Sequence, residues 1–229
     1  IITCHLGNGS SLAAVEFGHS TETSMGMTPL EGVMMGTRAG DIDAGALFYL
    51  MEKENLTPKE LEEKLNKESG LLGISGISND LRDLETKAAE GDDRAQLAIQ
   101  TYSHRIRKYI GSYAAVMGGV DVVVFTGGIG ENSVSMRRRI LQRMNFLGLS
   151  FSEYQNNHCS LSGENPVVEI HESHSKVKVL VIKTNEELQM ARQAFKLSKP
   201  TKNIENKIPV AVSASHSHLN RETCHELVC

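Results

Sequence analysis

Short alternating patterns dominate the first 25 residues, and helical periods take over after about residue 41. Ile1–Leu6, Leu12–Phe17 and Thr21–Met25 read as strands, broken by Gly7-Asn8-Gly9-Ser10-Ser11 and by Gly18-His19-Ser20. Glycine and asparagine at these breaks are expected to supply the positive φ of tight hairpins. Asp41–Glu52 then places Ile42, Ala46, Leu47 and Leu50 on one helical face. Thr57-Pro58-Lys59-Glu60 is a capping box with proline at the first helical position, opening a helix that Gly70 is expected to end. From Asp92 to about Val116, Leu97, Ile106, Ile110 and Tyr113 recur at helical spacing, and Gly118-Gly119 stops the pattern.

Asp121–Phe125 is a continuous apolar run of the kind a buried strand carries. A glycine turn follows at Thr126–Gly130, then an arginine-rich helix from about Asn132 to Arg143. Val177–Lys183 reads as a further strand, and Thr184-Asn185-Glu186-Glu187 opens a last helix to about Lys196. Strand–glycine turn–helix units of this kind predict an α/β layered fold.

Composition narrows the picture. The 229 residues suffice for one domain with a real core, or one domain and a tail. A net charge of −4 offers no global basic field, so neither nucleic acid nor an anionic membrane is an expected partner. Any chemistry on small anions must concentrate positive charge locally. No apolar run approaches the roughly 20 residues that span a bilayer, and the N-terminus lacks the marks of a signal peptide. The chain opens inside a strand without an initiator Met, so it is expected to be part of a longer protein. Cys4, Cys159, Cys224 and Cys229 are scattered, which suits reduced thiols in the cytoplasm.

Candidate chemistry sits at the turns. Backbone N–H groups of Gly7–Ser11 can converge on phosphate oxygens, with Ser10 and Ser11 adding hydroxyl donors. An ordinary hairpin accounts for the same residues equally well. Thr126–Asn132 gives part of a dinucleotide-type glycine pattern, but Ser133 stands where its third glycine belongs, and no P-loop occurs anywhere. Arg38, in Thr37–Asp43, has the fork that suits phosphate or carboxylate, although a structural pair with Asp41 or Asp43 explains it too. Asp80, in Asn79–Asp83, reads first as a helix N-cap. Thr184 and Glu187 form a second capping-box pattern, which leaves Glu186 available to hold a metal through water.

Together these segments resemble the acetate kinase family. The resemblance rests on His5–Ser11, Glu22–Asp43, Ser78–Asp83, Phe125–Asn132 and Thr184–Glu187, all in the family's order, and it covers about residues 1–198. Glu22 replaces the family's usual Asp, and Ala44 a frequent Pro. The resemblance implies an actin/hexokinase-like (ribonuclease H-like) α/β kinase architecture, this chain being its C-terminal half. It implies that His5, Leu6, Gly7, Asn8 and Gly9 contact ATP phosphates. Asp80, Leu81 and Arg82, with Gly128, Ile129, Gly130, Glu131 and Asn132, would contact the nucleotide. Arg38 would stabilise the transferring phosphoryl group, and Glu186 would help to hold Mg²⁺. The reaction implied is phosphoryl transfer between ATP and acetate, giving acetyl phosphate and ADP, in a homodimer. The family's upstream half carries further catalytic groups and part of the acetate pocket, so this chain alone is expected to turn over poorly.

Propionate or butyrate kinase, a non-catalytic nucleotide-binding domain and a Rossmann oxidoreductase are the alternatives. Residues 199–207 read as a linker. Ile208–Leu219 resembles the opening strand of PduL-type phosphate acyltransferases, with His216 and His218 in the place of zinc ligands and Ser215 in the place of an arginine. Residues 208–229 are thus expected to begin a fused acyltransferase domain.

Overall fold

The computed structural model describes residues 1–198; the expected linker and acyltransferase-like segment lie outside the described residues. Three strands open the chain: β1 (Ile2–Leu6), β2 (Ser10–Glu16) and β3 (His19–Thr23). Helices α1 (Ala44–Glu54), α2 (Pro58–Lys67), α3 (Gly70–Ser75), α4 (Leu81–Ala89) and α5 (Asp93–Val116) follow. Then come β4 (Val122–Thr126), α6 (Gly127–Asn132), α7 (Val134–Leu141), α8 (Glu153–Asn157), β5 (Val167–Glu169), β6 (Lys178–Ile182) and α9 (Glu186–Ser198).

The strands form one mixed sheet in the order β3-β2-β1-β4-β6-β5. β1, β4 and β6 are parallel, while β2, β3 and β5 run antiparallel to their neighbours. The register aligns Ile2 with Val123 and His5 with Thr126, so the glycine turns after β1 and β4 leave the same edge. All five residues of β4 are buried. Its alternation splits them: Val123 and Phe125 join the main core with α5, whereas Val122 and Val124 pack with Leu180 on the other face.

α5 holds the first face. Ala95, Ala98, Ile99, Tyr102, Ile106, Ile110, Tyr113 and Ala114 are buried along one stripe, each large side chain contributing about 1.5–3 kcal/mol of apolar burial. Leu97, expected on that stripe, is 54% exposed; it lies across the helix from the buried residues. The expected capping box of α2 forms: Thr57 accepts from the Glu60 N–H, and Glu60 accepts from the Thr57 N–H. Gly70 does not end that helix. It opens α3 at φ +63°, where a Cβ would lie 2.2 Å from the Met35 carbonyl oxygen.

Several other expectations shift. α1 begins at Ala44 behind the N-cap Asp43, so Ile42 is outside it, and no residue of α1 is buried. Ala44 takes the first helical position, which suits alanine as well as the family's proline. The helix expected from Asn132 to Arg143 is α7, capped by Ser133, and the glycine turn before it coils into a short helix of its own, α6. β5 carried no distinct signal in the sequence; three residues pairing at a sheet edge leave almost no period to detect.

Candidate functional site

The site is built where β1, β4 and β6 end. Gly7-Asn8-Gly9 closes the hairpin between β1 and β2, with Leu6 opposite Ser10. Positive φ is not used there. It occurs instead at Phe17 (50°) and Gly18 (78°) in the next hairpin. The first turn passes beside Arg38: a Cβ on Gly9 would lie 3.8 Å from Arg38 Nη1, an ordinary contact. Ser10 and Ser11 are buried, and the Ser10 hydroxyl is spent on the Gly7 carbonyl and the Tyr102 hydroxyl. The Ser10 hydroxyl thereby braces the turn from behind.

Residues 24–43 are irregular yet fixed. Val33, Met34 and Met35 plug the core, Gly36 N–H donates to the Asn8 carbonyl at 2.9 Å, and Ser69 N–H donates to the Thr37 carbonyl. Asp41 pins the far end, accepting from Gly32 N–H at 2.9 Å and from the Tyr109 hydroxyl at 2.7 Å. Burial first, and that bond second, push the Tyr109 phenol well above its ordinary range. Asp43 caps α1. Both carboxylates near Arg38 therefore have other tasks. Arg38 itself donates to the Pro29 carbonyl at 3.2 Å and touches Met35 Sδ at 3.6 Å, and among the described residues it forms no ion pair. The structural Arg–Asp pair that the sequence left open is not made.

The third segment joins through Asn79, whose Nδ2 donates to Asn8 Oδ1 at 2.8 Å. Asp80 is the N-cap of α4 and a bidentate partner of Arg82, at 2.5 Å to Arg82 Nη2. Hydrogen bonds from the Arg82 side chain, then its backbone N–H, hold the Asp80 carboxyl down at about 2. Arg82 is exposed, whereas Leu81 and Leu6 are core residues that can offer a ligand only their main chain.

The second glycine turn is clamped. Gly127 adopts φ +78°, and a Cβ there would meet the Leu6 carbonyl oxygen at 2.7 Å, so the turns after β1 and β4 touch through backbone. Glu131 Oε1 accepts from Gly127 N–H (3.0 Å), Thr184 N–H (2.9 Å) and Thr184 Oγ1 (2.5 Å). Its carboxylate thus ties the β4 turn to the end of β6 through one oxygen. Gly128 and Asn132 are exposed, with Asn132 Nδ2 donating to the Gly128 carbonyl; Gly130 is buried and Ile129 half-buried. Thr184, spent on this clamp, does not cap α9 as expected. Asn185 does, accepting the Leu188 N–H at 3.1 Å.

Beside this clamp a cleft of about 490 Å³ is lined by Ser162, Gly163, Pro166 and Lys183–Glu187. Glu186 and Glu187 stand in it, two carboxylates whose oxygens are the kind a hard cation takes, together with Lys183. Among the described residues no three His, Cys, Asp or Glu side chains converge on a metal position. Mg²⁺ does not require such a cluster, since it keeps waters and takes one or two carboxylates together with substrate phosphates.

The sequence missed three contributors. Lys183 brings a cation into the cleft, and Asn79 locks the first turn to α4. Arg137, 1% exposed, donates to the carbonyls of Gly130 (2.9 Å) and Glu131 (2.8 Å) and to Asn156 Oδ1 (2.8 Å), holding α6 from behind. The only hint of it was a run of three arginines on a helix with an apolar face. No helix among the described residues is long and apolar enough to cross a membrane.

In sequence the chain matches the acetokinase family over residues 1–192. It is 51% identical over 197 residues to the acetate kinase of Caldicellulosiruptor saccharolyticus, covering 86% of this chain and 49% of that enzyme. Over 198 residues it is 54% identical to the acetate kinase of Geobacillus kaustophilus, with 86% and 49% covered. The chain thus spans about half the length of the curated relatives it matches. In structure it resembles the Porphyromonas gingivalis acetate kinase (TM-score 0.81, 46% identity, 86% of this chain and 48% of that one). It also resembles a Francisella tularensis propionate kinase (TM-score 0.77, 42% identity, 84% and 48%). These relatives place the mixed sheet in the actin/hexokinase-like architecture, with the turns at the ends of β1, β4 and β6 falling inside the matched span. The chain belongs to the acetokinase family.

Proposed function

We propose that this chain is the nucleotide-binding part of an acetate kinase, which in complete form transfers the γ-phosphate of ATP reversibly to acetate. The observation that carries the reading is Arg38. Its guanidinium lies beside the first glycine turn and, among the described residues, is paired with no carboxylate, although Asp41 and Asp43 are near in sequence.

In this reading the backbone of Gly7–Gly9 and the turn at Gly128–Asn132 receive ATP, with Asp80–Arg82 at the nucleotide's edge. Acetate is already ionised near neutral pH, so its attack on the γ-phosphate needs no strong base. Positioning and charge neutralisation then supply the catalysis. Arg38 faces the charge that spreads over the transferring phosphoryl oxygens, and Glu186 would help to hold Mg²⁺. Bound there, the ion would neutralise phosphate charge. The complete enzyme is proposed to be a homodimer, and this chain alone to bind ATP weakly and turn over poorly.

The test is acetyl phosphate formation by the complete protein with ATP, Mg²⁺ and acetate, trapped as the hydroxamate. Robust turnover is expected, and ATP binding without phosphoryl transfer to any short carboxylate would overturn the reading. Because one solved relative is a propionate kinase, acetate, propionate and butyrate are compared by kcat/KM, and acetate is expected to be preferred.

A further inference from the structure

A second cationic concavity lies away from the nucleotide turns. Between α5 and the end of α7 a groove of about 520 Å³ has Arg107, Arg139 and Arg143 in its lining, with His104 and Gln142 beside them and Leu97 as its apolar wall. It shares no residue with the candidate site. No acidic side chain lines it, and among the described residues none of the three arginines forms an ion pair.

That arrangement stands out in a chain of net charge −4. Arg82 and Arg138 are answered by acids, Asp80 and Glu153, and Arg94 by the Gly73 and Ile74 carbonyls. In the groove, Arg107 donates to the Arg139 carbonyl at 3.0 Å, which holds the two residues together. The side chains of Arg139 and Arg143 make no hydrogen bond among the described residues. Burial, and after it the nearby Arg143 charge, lower the affinity of Arg107 for its proton. Holding like charges together in a partly desolvated groove costs free energy that an anion would recover.

We propose that this groove is a second anion site, distinct from the nucleotide turns, that takes a compact phosphate-rich anion such as inorganic diphosphate. Guanidinium forks match phosphate oxygens two at a time, and several forks can share one polyphosphate. The lining contains no Phe, Tyr or Trp ring on which a nucleobase could stack, which favours an inorganic or small phosphorylated anion over a nucleotide. Its volume also exceeds what a single orthophosphate fills.

The experiment titrates the 229-residue chain with sodium diphosphate by calorimetry, at low salt and without Mg²⁺, in the absence and presence of saturating ADP. One diphosphate per chain is expected to bind with ADP present. In the double variant Arg107→Gln/Arg143→Gln that binding is expected to weaken at least tenfold, with ADP affinity unchanged within twofold. Diphosphate binding that disappears when ADP saturates, or that survives the double variant, overturns the proposal. Should ADP fail to bind at all, the nucleotide reading falls, while the comparison of wild type with the double variant still decides the groove. The melting temperature guards against misfolding. Arg143→Gln alone, which keeps the Arg107 bond to the Arg139 carbonyl, is expected to melt no lower than wild type and to bind diphosphate more weakly, and unchanged binding in this variant overturns the site.

Discussion

Arg38 gains its reach from what its neighbours are doing. Asp41 is occupied by Gly32 N–H and Tyr109, and Asp43 by the N-terminus of α1. The guanidinium keeps most of its donors for something else. In the complete enzyme, Arg38→Ala is expected to lower kcat by roughly 10²–10³-fold while changing the KM for ATP only a few-fold. Equal losses in both would make Arg38 a ground-state ligand. Asp80 supports a prediction about acid. Its folded pKa of about 2 lies below the unfolded carboxylate's value near 3.9. Its contribution is therefore complete above about pH 4 and disappears as pH falls through 2. Asp80→Asn keeps a capping acceptor but loses the charge. The stability gap between wild type and variant, measured by urea unfolding, is expected to be constant above pH 5 and to close toward pH 2. A gap that widens in acid would contradict the assignment.

Turns and helix ends, as elements, do the positioning. Glu131 joins the turn after β4 to the end of β6 by accepting from Gly127 and from both donors of Thr184. Glu131→Ala strands those donors in a half-buried place and is expected to cost about 1–3 kcal/mol in urea unfolding. Nucleotide affinity is expected to fall with it, because both turns lose their common anchor. A variant as stable as wild type would show that Glu131 clamps nothing. Here the sequence was legible in part. The second glycine turn and the start of the last helix were recognisable as separate units, as were the box at Thr57 and the cap at Asp80, because those signals are local. Thr184 and Glu187 offered an equally good local box. It does not form, since a partner 53 residues away in sequence takes the Thr184 hydroxyl.

Across the whole molecule, the core and the site share supports. Arg137 is a core residue whose guanidinium caps the carbonyl end of α6 and reaches Asn156 near the end of α8. Arg137→Ala is expected to destabilise the chain by about 2–4 kcal/mol, since several buried acceptors lose their donor together. Arg138→Ala, in an exposed pair with Glu153, is expected to cost under about 1 kcal/mol. Equal effects in the two variants would remove Arg137 from the core. Sequence alone could not rank these neighbours, because burial on a helix depends on which side meets the sheet.

By itself the sequence determined the α/β class, the long amphipathic α5, the buried β4 and the positions of the glycine turns. Each of these is written in periodicity or in residues that break it. The order of its motifs is likewise that of the acetokinase family. Tertiary structure alone decided that Ser10 faces Tyr102, that Leu6 and Leu81 belong to the core, and that Asp41 leaves Arg38 unpaired among the described residues. It likewise brought Arg107 of α5, Arg139 of α7 and Arg143 just beyond α7 around one groove. The physical reason is range: propensity and period act over a few residues. Which partner a polar group finds depends instead on the contacts the folded sheet enforces between distant segments.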